Sequence, residues 1–530
     1  MKRSIFLILL IALTIGPALA QTSENIPTRH QVLTDEQIVE NIDKYAEQVR
    51  LDWKIPGMAV TLKKDGKVLL MKGYGVKDSA RLADKVDENT LFQIGSVSKS
   101  FTAAVVASLV DEGLLSWEDT VKNILPDFEM YDPWVSQHMQ IKDLTSHRTG
   151  LQEQVGTYIP NMGYDRDDVY RMLKLLKPVY TFRGDYQYNN ITFIPVAKII
   201  EKVTGKSWEE NVRERIFAPL GMTQSTLNGE GFKPALEAGT AALPYEFVRK
   251  DGQMVVRPLY GDEQALWWLT VVGPAGSVCC TPQDLLKWAE FHLNNGKVGD
   301  RQVISEKQMN YLHRGTTITS QNSGRTTLYG HCWYVEQTRK ARIYFHTGTT
   351  WGMTTLCFFV PELNLCGTVQ VNSEAPGEPR HAIARRAIDL FLGYEDYDYN
   401  AEYLKEWYEY AAQRAEKDAK ALSERVEVPA PALDRIKGGY TKEEPFGDAT
   451  VSIEGGKPYI VIGPKGWKRE LRHVNGNTFN FRMDGWGFDI TFLFEEGTAG
   501  SSMKSAYGFE IAWGEGEEKD LGIWKRKINH

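Results

Sequence analysis

The chain has 530 residues, a formal net charge of −7, and a composition of 42% hydrophobic and 25% charged residues. These proportions are typical of globular rather than disordered proteins, and the length allows two or three domains. The sequence contains no long basic block and no basic stretch interleaved with aromatic residues, which argues against nucleic-acid binding.

The first twenty residues have the features of a secretory signal peptide. Lys2 and Arg3 supply the charged start, residues 5–14 are apolar but too short to span a bilayer, and residues 18–20 form a small-residue cleavage site. The alternative is an N-terminal membrane anchor, which is disfavoured because a polar segment follows at once. We therefore expect a secreted or periplasmic protein that loses residues 1–20 and has no stable membrane anchor.

The cysteines and the metal-ligating residue types give no sign of a metal site. All five cysteines lie between Cys279 and Cys366, too few and too clustered for a disulfide framework in a chain of this size. Buried free thiols are the simpler interpretation, although the sequence leaves open whether any disulfide forms. No H-E-x-x-H or C-x-x-C spacing is present. The sequence predicts neither a metal nor a cofactor.

The predicted elements of the first 400 residues indicate an α+β fold. Residues 57–75 predict a hairpin around an Asp65-Gly66 turn, the strongest short hairpin signal. Apolar patterns predict helices over 98–112, 192–204, 281–296 and 379–392, and strands over 326–336, 341–346, 353–360 and 365–372. Because strands stand at both ends of this region, we expect its two ends to meet in one antiparallel sheet.

The composition of the sequence changes after Asn400. Residues 401–425 are charged and rich in helix formers, and the Pro-containing stretch 426–434 reads as a linker. From Gly438 onward, short apolar runs spaced by Gly, Pro, Asn and Asp predict an all-β meander or small barrel. The predicted organisation is a domain over 21–400, a helical connector and linker over 401–433, and a β-barrel domain over 434–530.

Two Ser-x-x-Lys patterns occur, and their predicted surroundings differ. Ser96 and Lys99 begin a helix, where residues three apart share a face and the first turn has a positive dipole end. A serine there can attack a carbonyl if a neutral lysine takes its proton. Ser501 and Lys504 lie in the β-rich tail, where residues three apart point to opposite faces of a strand. Only the first pair is a candidate nucleophile and base.

Four further stretches follow the first pair in a characteristic order. They are "DLTSHRTGL" at 143–151, "FRGDYQYNNITF" at 182–193, "GPAGSVCCTPQDL" at 273–285 and "FHTGTTWGM" at 345–353. With "APLGMTQST" at 218–226, this ordered set resembles the serine beta-lactamase and penicillin-binding-protein superfamily over residues 36–395. The match is best with the branch of class C beta-lactamases, D-aminopeptidases and related esterases.

The resemblance implies an architecture. It implies a beta-lactamase-like antiparallel sheet flanked by helices, with an all-helical subdomain. The tail is similar to the small lipocalin-like barrel that is often fused behind such hydrolases, through "GGYTKEE", "GNTFNF" and its strand rhythm.

The resemblance also assigns roles to residues. Ser96 would be the acylated nucleophile, Lys99 its proton acceptor, and Tyr188 a relay whose phenol pKa would fall beside a cationic lysine. Asn190 would orient the substrate or Lys99. The amide of Ser96 and one on the strand after His346-Thr347-Gly348, near Thr349, would form the oxyanion hole.

His346 departs from the common family pattern, which has lysine at this place. A histidine is charged only part of the time near neutral pH, so recognition of a substrate carboxylate there is weakened. We expect His346 and Trp351 to contact the substrate. His147 is interpreted as structural packing near the site, and Trp267 and Trp268 are candidates for a cleft wall, although core packing is commoner for aromatics.

The predicted function is a secreted, metal-independent serine hydrolase with an acyl-enzyme on Ser96. It would cleave amide or ester bonds in small peptides, including D-amino-acid or peptidoglycan-derived ones, or in esters. The alternatives are a class C-type beta-lactamase or penicillin-binding protein, and a non-catalytic peptidoglycan sensor that keeps the fold. The expected partner is a small-molecule or peptide substrate, and the oligomeric state stays open.

Overall fold

The computed structural model describes most of the chain after the predicted signal peptide. The described residues are 33–250, 253–259, 263–322, 325–374, 377–394, 397–483, 486–495, 505–513 and 522–527. The predicted signal peptide and the second Ser-x-x-Lys pair, Ser501 and Lys504, lie outside them.

An eight-stranded antiparallel sheet forms the centre of the first domain. Its strands, in spatial order, are Thr317–Asn322, Arg325–Tyr329, Tyr334–Gln337, Arg342–Thr350, Met353–Val360, Leu365–Val371, Gly57–Lys64 and Lys67–Gly75. The N-terminal hairpin joins the C-terminal strands because Gly57–Lys64 pairs with Leu365–Val371. The expected meeting of the two ends in one sheet is therefore confirmed.

One predicted strand was wrong. The segment 326–336 is not continuous, because residues 330–333 turn the chain between two antiparallel strands. Gly330 packs so closely that an added Cβ would lie 2.6 Å from the Arg314 carbonyl oxygen. Cys332 has a φ of 69°, a left-handed conformation that strand periodicity does not reveal. A run of apolar residues thus hid a hairpin.

The predicted helices are present at their expected positions. The helices are Asp35–Asp52, Ser98–Asp111, Val121–Ile124, Pro133–His138, Ile141–Thr145, Arg166–Met172, Phe193–Thr204, Trp208–Val212, Ala218–Leu220, Asn228–Glu237, Glu263–Val271, Gly273–Gly276, Pro282–Leu293, Glu306–Leu312, Glu378–Phe391, Tyr399–Ser423 and Leu433–Ile436. Thr281 caps its helix with a side chain that accepts from the Asp284 amide, and Gly205 ends another in a left-handed conformation.

Single helical turns and short strands complete the first domain. They are the 3₁₀ turns Gly95–Val97, Ile159–Met162, Leu173–Leu175 and Pro361–Leu363, the π turn Arg213–Phe217, and the strands Phe92–Gln93, Thr226–Leu227, Val278–Cys280, Tyr245–Lys250, Gln253–Pro258, Lys297–Val298 and Arg301–Gln302.

The sheet separates two apolar layers. On one face, the Asp35–Asp52 and Glu378–Phe391 helices bury side chains such as Ile42 and Ile388 against the strands. On the other face lies the Pro282–Leu293 helix, which in turn covers Ser98–Asp111. The Ser98–Asp111 helix is buried along most of its length. The α+β fold therefore places the backbone next to Ser96 in the middle of the domain.

The long helix Tyr399–Ser423 leaves the first domain. Its start is tied down by Asn400, whose side-chain oxygen accepts from the Trp53 indole at 2.7 Å. Beyond its first turns, most side chains are exposed, and residues 425–432 form no helix or strand. Among the described helices, this one included, none has the length and apolar composition that crossing a bilayer requires.

The C-terminal region is a nearly closed antiparallel barrel. Its strands are Gly438–Lys442, Gly447–Glu454, Lys457–Ile462, Lys468–Glu470, Arg472–Asn475, Thr478–Met483, Trp486–Leu493, Gly508–Trp513 and Ile523–Arg526. The two edge strands of this nine-stranded sheet are consecutive in the chain and are separated by Leu471 alone, which brings the edges together. Buried aromatic side chains, among them Phe481, Phe492 and Trp524, fill the interior. The predicted β-barrel is confirmed.

The barrel docks on the turn at residues 158–164 of the first domain. The Tyr164 hydroxyl donates to the Phe446 carbonyl oxygen at 2.5 Å, and Lys465 places its ammonium 3.9 Å from the centre of the Trp267 ring. The backbones also approach closely, because an added Cβ on Gly463 would lie 1.9 Å from the Met162 carbonyl oxygen. This loop of the barrel accepts no side chain at position 463.

We predict that Gly463→Ala loosens the barrel from the first domain, whereas Gly466→Ala does not. Both glycines have positive φ, so both variants carry the same backbone strain, but only position 463 meets a neighbour. The added clash should lower the free energy of unfolding by about 1–3 kcal/mol relative to Gly466→Ala. Thermal melts and limited proteolysis within residues 425–432 measure this difference. Equal melting and cleavage of the two variants would show that the contact is not tight.

Candidate active site

Ser96 lies in the 3₁₀ turn Gly95–Val97, which leads directly into the Ser98–Asp111 helix. The turn is fixed from within, because the Ser98 hydroxyl donates to the Gly95 carbonyl at 2.6 Å and accepts from the Val278 amide at 2.9 Å. Gly95 has a φ of 51°, which an L-residue adopts with strain. Ser96 therefore sits on a rigid corner that lines the pocket described below.

Lys99 is completely buried, and its amine has three hydrogen-bond partners. They are Ser96 Oγ at 3.0 Å, Asn190 Oδ1 at 2.6 Å and the Ala275 carbonyl oxygen at 3.0 Å. Burial lowers the pKa of Lys99 well below its usual value, because the charged form loses its hydration.

A neutral Lys99 amine has two N–H bonds and one lone pair. Asn190 Oδ1 and the Ala275 carbonyl can only accept, so they take both N–H bonds. The lone pair is then left for the hydroxyl of Ser96. The Asn190 amide is itself oriented by Gln154, whose Oε1 accepts from Nδ2 at 2.9 Å. In its neutral form, Lys99 thus has a lone pair directed at Ser96, as a general base requires.

Tyr188 completes the cluster, but not in the protonation state that was expected. Its ring centre lies 4.6 Å from Lys99 Nζ, and Ser96 is among the groups that act on its hydroxyl. Burial raises the pKa of the Tyr188 phenol well above its usual value. The expected fall was wrong, because it assumed a charged lysine, and the same desolvation that neutralises Lys99 also opposes a phenolate. Tyr188 is a neutral hydroxyl that can donate its proton.

His147 anchors the segment that carries Tyr188. Its ring is buried, accepts from the Asn189 amide at 3.1 Å through Nδ1, and lies 4.3 Å from the Tyr188 ring centre. Its carbonyl accepts from the Gln187 amide at 2.9 Å. These contacts agree with the structural role that was expected for His147, which does not line the pocket.

The strand Arg342–Thr350 packs so closely against the Ser96 turn that no side chain fits between the two backbones. An added Cβ on Gly348 would lie 1.8 Å from the Ile94 carbonyl oxygen and 2.9 Å from the Ser96 amide nitrogen. One on Gly95 would lie 2.7 Å from the Thr349 amide nitrogen. Gly348 and Gly95 therefore let the backbone at Ser96 and at Thr349 approach closely, in the region where the resemblance implied an oxyanion hole.

His346 lies on the pocket wall in one fixed tautomer. Nδ1 faces the Thr347 carbonyl at 2.7 Å and must donate to it, so Nε2 accepts from the Tyr329 hydroxyl at 3.0 Å. Burial, with Lys99 nearby, lowers the pKa of His346 to about 3. The expectation of a histidine charged part of the time near neutral pH was wrong, and the ring is neutral there.

A pocket of about 510 Å³ joins these residues. Trp268 and Trp351 form part of its wall, with ring centres 5.1 Å apart, whereas Trp267 lies outside it and contacts the barrel. Of the predicted residues, the pocket is lined by Ser96, Tyr188, Asn190, His346, Thr349 and Trp351; Lys99 and Gly348 lie directly behind this wall.

Other lining residues escaped the sequence reasoning. They include Glu153, Gln154, Tyr186, Tyr334, Glu374 and Arg380. Tyr186 lies within the stretch 182–193, two residues before Tyr188, but was not singled out there. The others lie outside the quoted motifs, and the tertiary fold brings them to the pocket. Within the described part of the chain, no group of three or more His, Cys, Asp and Glu residues could hold a metal ion.

The residues that form this site lie within a segment that matches a known protein family. The family model for Beta-lactamase matches residues 39–391, more than half of the chain. The chain belongs to the beta-lactamase family. The predicted resemblance is thus confirmed, and this family member is a serine hydrolase.

Two curated relatives of this beta-lactamase-family protein give the extent of the similarity. It is 28% identical over 423 residues to unguisins hydrolase ungD' of Aspergillus campestris, covering 75% of this chain and 74% of the relative. It is 27% identical over 341 residues to penicillin-binding protein 4 of Amycolatopsis lactamdurans, covering 62% of this chain and 83% of the relative.

The fold similarity extends further than the family match. The octameric penicillin-binding protein homologue from Pyrococcus abyssi has a TM-score of 0.58 and 19% identity to this protein. The similarity covers 90% of this chain and 98% of that chain. Since 90% exceeds the part matched by the family model, the likeness reaches into the region after residue 391.

For this beta-lactamase-family enzyme, we predict that kcat/KM for an activated ester rises with pH and levels off well below pH 10.5. Protonated Lys99 cannot accept the Ser96 proton, so the rate increases as the lysine loses its proton, and its lowered pKa places this rise at lower pH. A pH–rate profile measures the midpoint.

Two variants test the assignment of this rise to Lys99. Tyr188→Phe should lower the plateau and leave the midpoint near its wild-type position, because the phenol does not titrate in this range. Lys99→Arg should lower kcat/KM by at least about 100-fold at every pH, because a guanidinium stays protonated. A wild-type rise centred near pH 10 would contradict the neutral lysine.

Proposed function

We propose that this protein hydrolyses amide or ester bonds of small peptides or esters through an acyl-enzyme on Ser96. The observation that carries the proposal is the hydrogen bonding of Lys99, with two carbonyl acceptors on one side and Ser96 Oγ on the other. A lysine in this state accepts a proton from the serine that it touches, and a binding protein has no need of such an arrangement.

The first half of the reaction follows from these contacts. Lys99 Nζ takes the Ser96 proton while Oγ attacks the substrate carbonyl. The negative charge that develops on the carbonyl oxygen is accepted by the amides of Ser96 and Thr349. In other acyl-transfer enzymes, one such donor lowers the activation free energy by ~3 kcal/mol.

The second half reverses the proton movement. Tyr188, whose ring centre lies 4.6 Å from Lys99 Nζ, passes the proton to the leaving amine or alcohol. A water then takes the place of the leaving group, gives its proton to the Lys99 and Tyr188 pair, and attacks the ester of Ser96. When the acyl–Oγ bond breaks, the Lys99 and Tyr188 pair gives this proton to Ser96 Oγ, which returns Ser96 to its starting state.

The walls of the pocket favour peptides and esters over substrates that need a cation at position 346. The neutral His346 ring offers no charge to a carboxylate. The wall is rich in aromatic side chains, among them Trp268, Trp351 and Tyr334, which suit apolar or aromatic acyl groups. D-amino-acid peptides and peptidoglycan fragments are candidates, and one relative is named a hydrolase of unguisins.

The proposed place of action is outside the cytoplasm. The charged start, short apolar stretch and small-residue cleavage site at residues 1–20 support export with removal of this segment. Amino-terminal sequencing of the protein recovered from the periplasm or medium tests this. A first residue of Met1 in all fractions would contradict it.

We predict that a fluorophosphonate probe labels the wild-type protein on Ser96 and that Ser96→Ala is not labelled. Mass spectrometry of the peptide that contains residue 96 measures the adduct. Ser100→Ala is the matched control, because Ser100 lies four residues further on, in the Ser98–Asp111 helix, donates to the Val97 carbonyl and does not line the pocket. Equal labelling of wild type and Ser96→Ala would remove the proposal.

We further expect rapid turnover of esters or D-amino-acid amides and little turnover of nitrocefin. The reason is the uncharged His346 side chain, since the lysine common at this position offers a permanent cation. Steady-state rates with both substrate classes measure the ratio. Efficient nitrocefin hydrolysis with no ester or amide cleavage would identify a beta-lactamase instead.

A further inference from the structure

Arg380 is a buried guanidinium on the wall of the pocket. It lies in the first turn of the Glu378–Phe391 helix and is 5% exposed, and no sequence motif marked it as a neighbour of Ser96. Its Nη1 donates to the Gly348 carbonyl oxygen and, at 3.3 Å, to the Thr349 hydroxyl. Both of its acceptors therefore belong to the strand that passes the Ser96 turn.

The Gly348 carbonyl and the Thr349 N–H are two ends of one peptide group. A trans peptide is planar, so its C=O and N–H point in opposite directions, and a donor that fixes one end also fixes the other. Arg380 holds the carbonyl end. The Thr349 nitrogen then faces the Gly95–Ser96 turn, in agreement with its closeness to Gly95.

The charge of Arg380 adds to this geometric effect. A hydrogen bond to the carbonyl oxygen draws electron density through the amide and makes the N–H a stronger donor, more so when the donor is a cation in a buried place. Burial lowers the pKa of Arg380 only to about 10, so the guanidinium stays charged at neutral pH.

We propose that Arg380 is a positioning residue for the oxyanion hole, which orients and polarises the Gly348–Thr349 peptide so that its N–H binds the developing oxyanion. The inference rests on the proposed acyl-enzyme function. The Glu378–Phe391 helix thereby takes part in the chemistry through a peptide group of the Arg342–Thr350 strand.

The test measures the strength of the oxyanion-hole hydrogen bonds directly. The wild type and variants are acylated with the p-nitrophenyl ester of trimethylacetic acid, labelled with carbon-13 at the carbonyl, whose bulk slows deacylation. Isotope-edited difference infrared spectroscopy then gives the stretching frequency of the acyl carbonyl on Ser96. Stronger hydrogen bonds to the carbonyl oxygen lower this frequency.

Two substitutions separate orientation from charge. Arg380→Gln keeps an N–H donor without the positive charge, and Arg380→Met removes both. We expect the acyl carbonyl frequency to rise in the order wild type, Arg380→Gln, Arg380→Met. The acylation rate with the ester should fall by about 10- to 100-fold in Arg380→Met, less than the loss from removing an oxyanion donor itself.

Arg385 offers a matched control. It lies in the same helix and is half-buried, but it pairs with Glu336, with Nη2 to Oε2 at 3.1 Å. Arg385→Met should lower the melting temperature and leave the acyl carbonyl frequency at its wild-type value, because this pair does not touch the Gly348–Thr349 peptide.

The outcomes are distinguishable. Failure of the wild type to form any adduct on Ser96 would overturn the proposed function and, with it, this inference. A wild-type adduct whose frequency does not change in Arg380→Met would overturn the role of Arg380 alone. An equal rise in Arg380→Met and Arg385→Met would show that loosening of the helix, rather than the contact with Gly348, is responsible.

Discussion

The chemistry of the site depends on the desolvation of the Lys99 amine. Lys99 is enclosed by the Ser98–Asp111 helix, the Tyr188 segment and the backbone at Ala275, and none of these supplies a carboxylate. An enclosed lysine without a counter-charge loses its proton, and a lysine without its proton can serve as a base. The same enclosure keeps Tyr188 and His346 uncharged. The helix that carries Lys99 must be buried on every side, which explains why it lies between the sheet-covering helix and the helical subdomain.

A second requirement is the close approach of two backbones. Gly95 and Gly348 let the Ser96 turn and the Arg342–Thr350 strand meet with no side chain between them. The turn is braced by Ser98 and the strand by Arg380, so the backbone at both places is held before a substrate arrives. Donors held in place in this way need little rearrangement during the reaction.

The sequence predicted the parts of the site that are carried by short local patterns. Ser96 with Lys99, Tyr188 with Asn190, and His346 with Gly348 each stand within a few residues of one another, so their spacing and order were enough to select them. Helix 98–112 and the barrel strands were likewise visible as apolar periodicity.

Arg380 and Glu153 were not predicted from the sequence, because a single arginine or glutamate in a helix or loop has no periodic signature. The charge states of Tyr188 and His346 were wrong for a related reason: desolvation depends on how many layers cover a group, which is a property of the whole fold. The break at Gly330 was missed because the residues on both sides of it are equally apolar.

The docking of the barrel has a consequence for the order in which the enzyme is made. The turn at 158–164 follows directly on Thr157 of the pocket wall, and it rests on Phe446 and Gly463, about three hundred residues further along the chain. The central sheet, too, is complete only when Leu365–Val371 pairs with Gly57–Lys64. A chain that emerges from its amino terminus therefore has Ser96, Lys99 and Tyr188 long before it has a finished cavity around them. The barrel follows the first domain in the chain, so a product truncated before Gly438 has Ser96, Lys99 and Tyr188 but lacks the contact that supports the turn at 158–164.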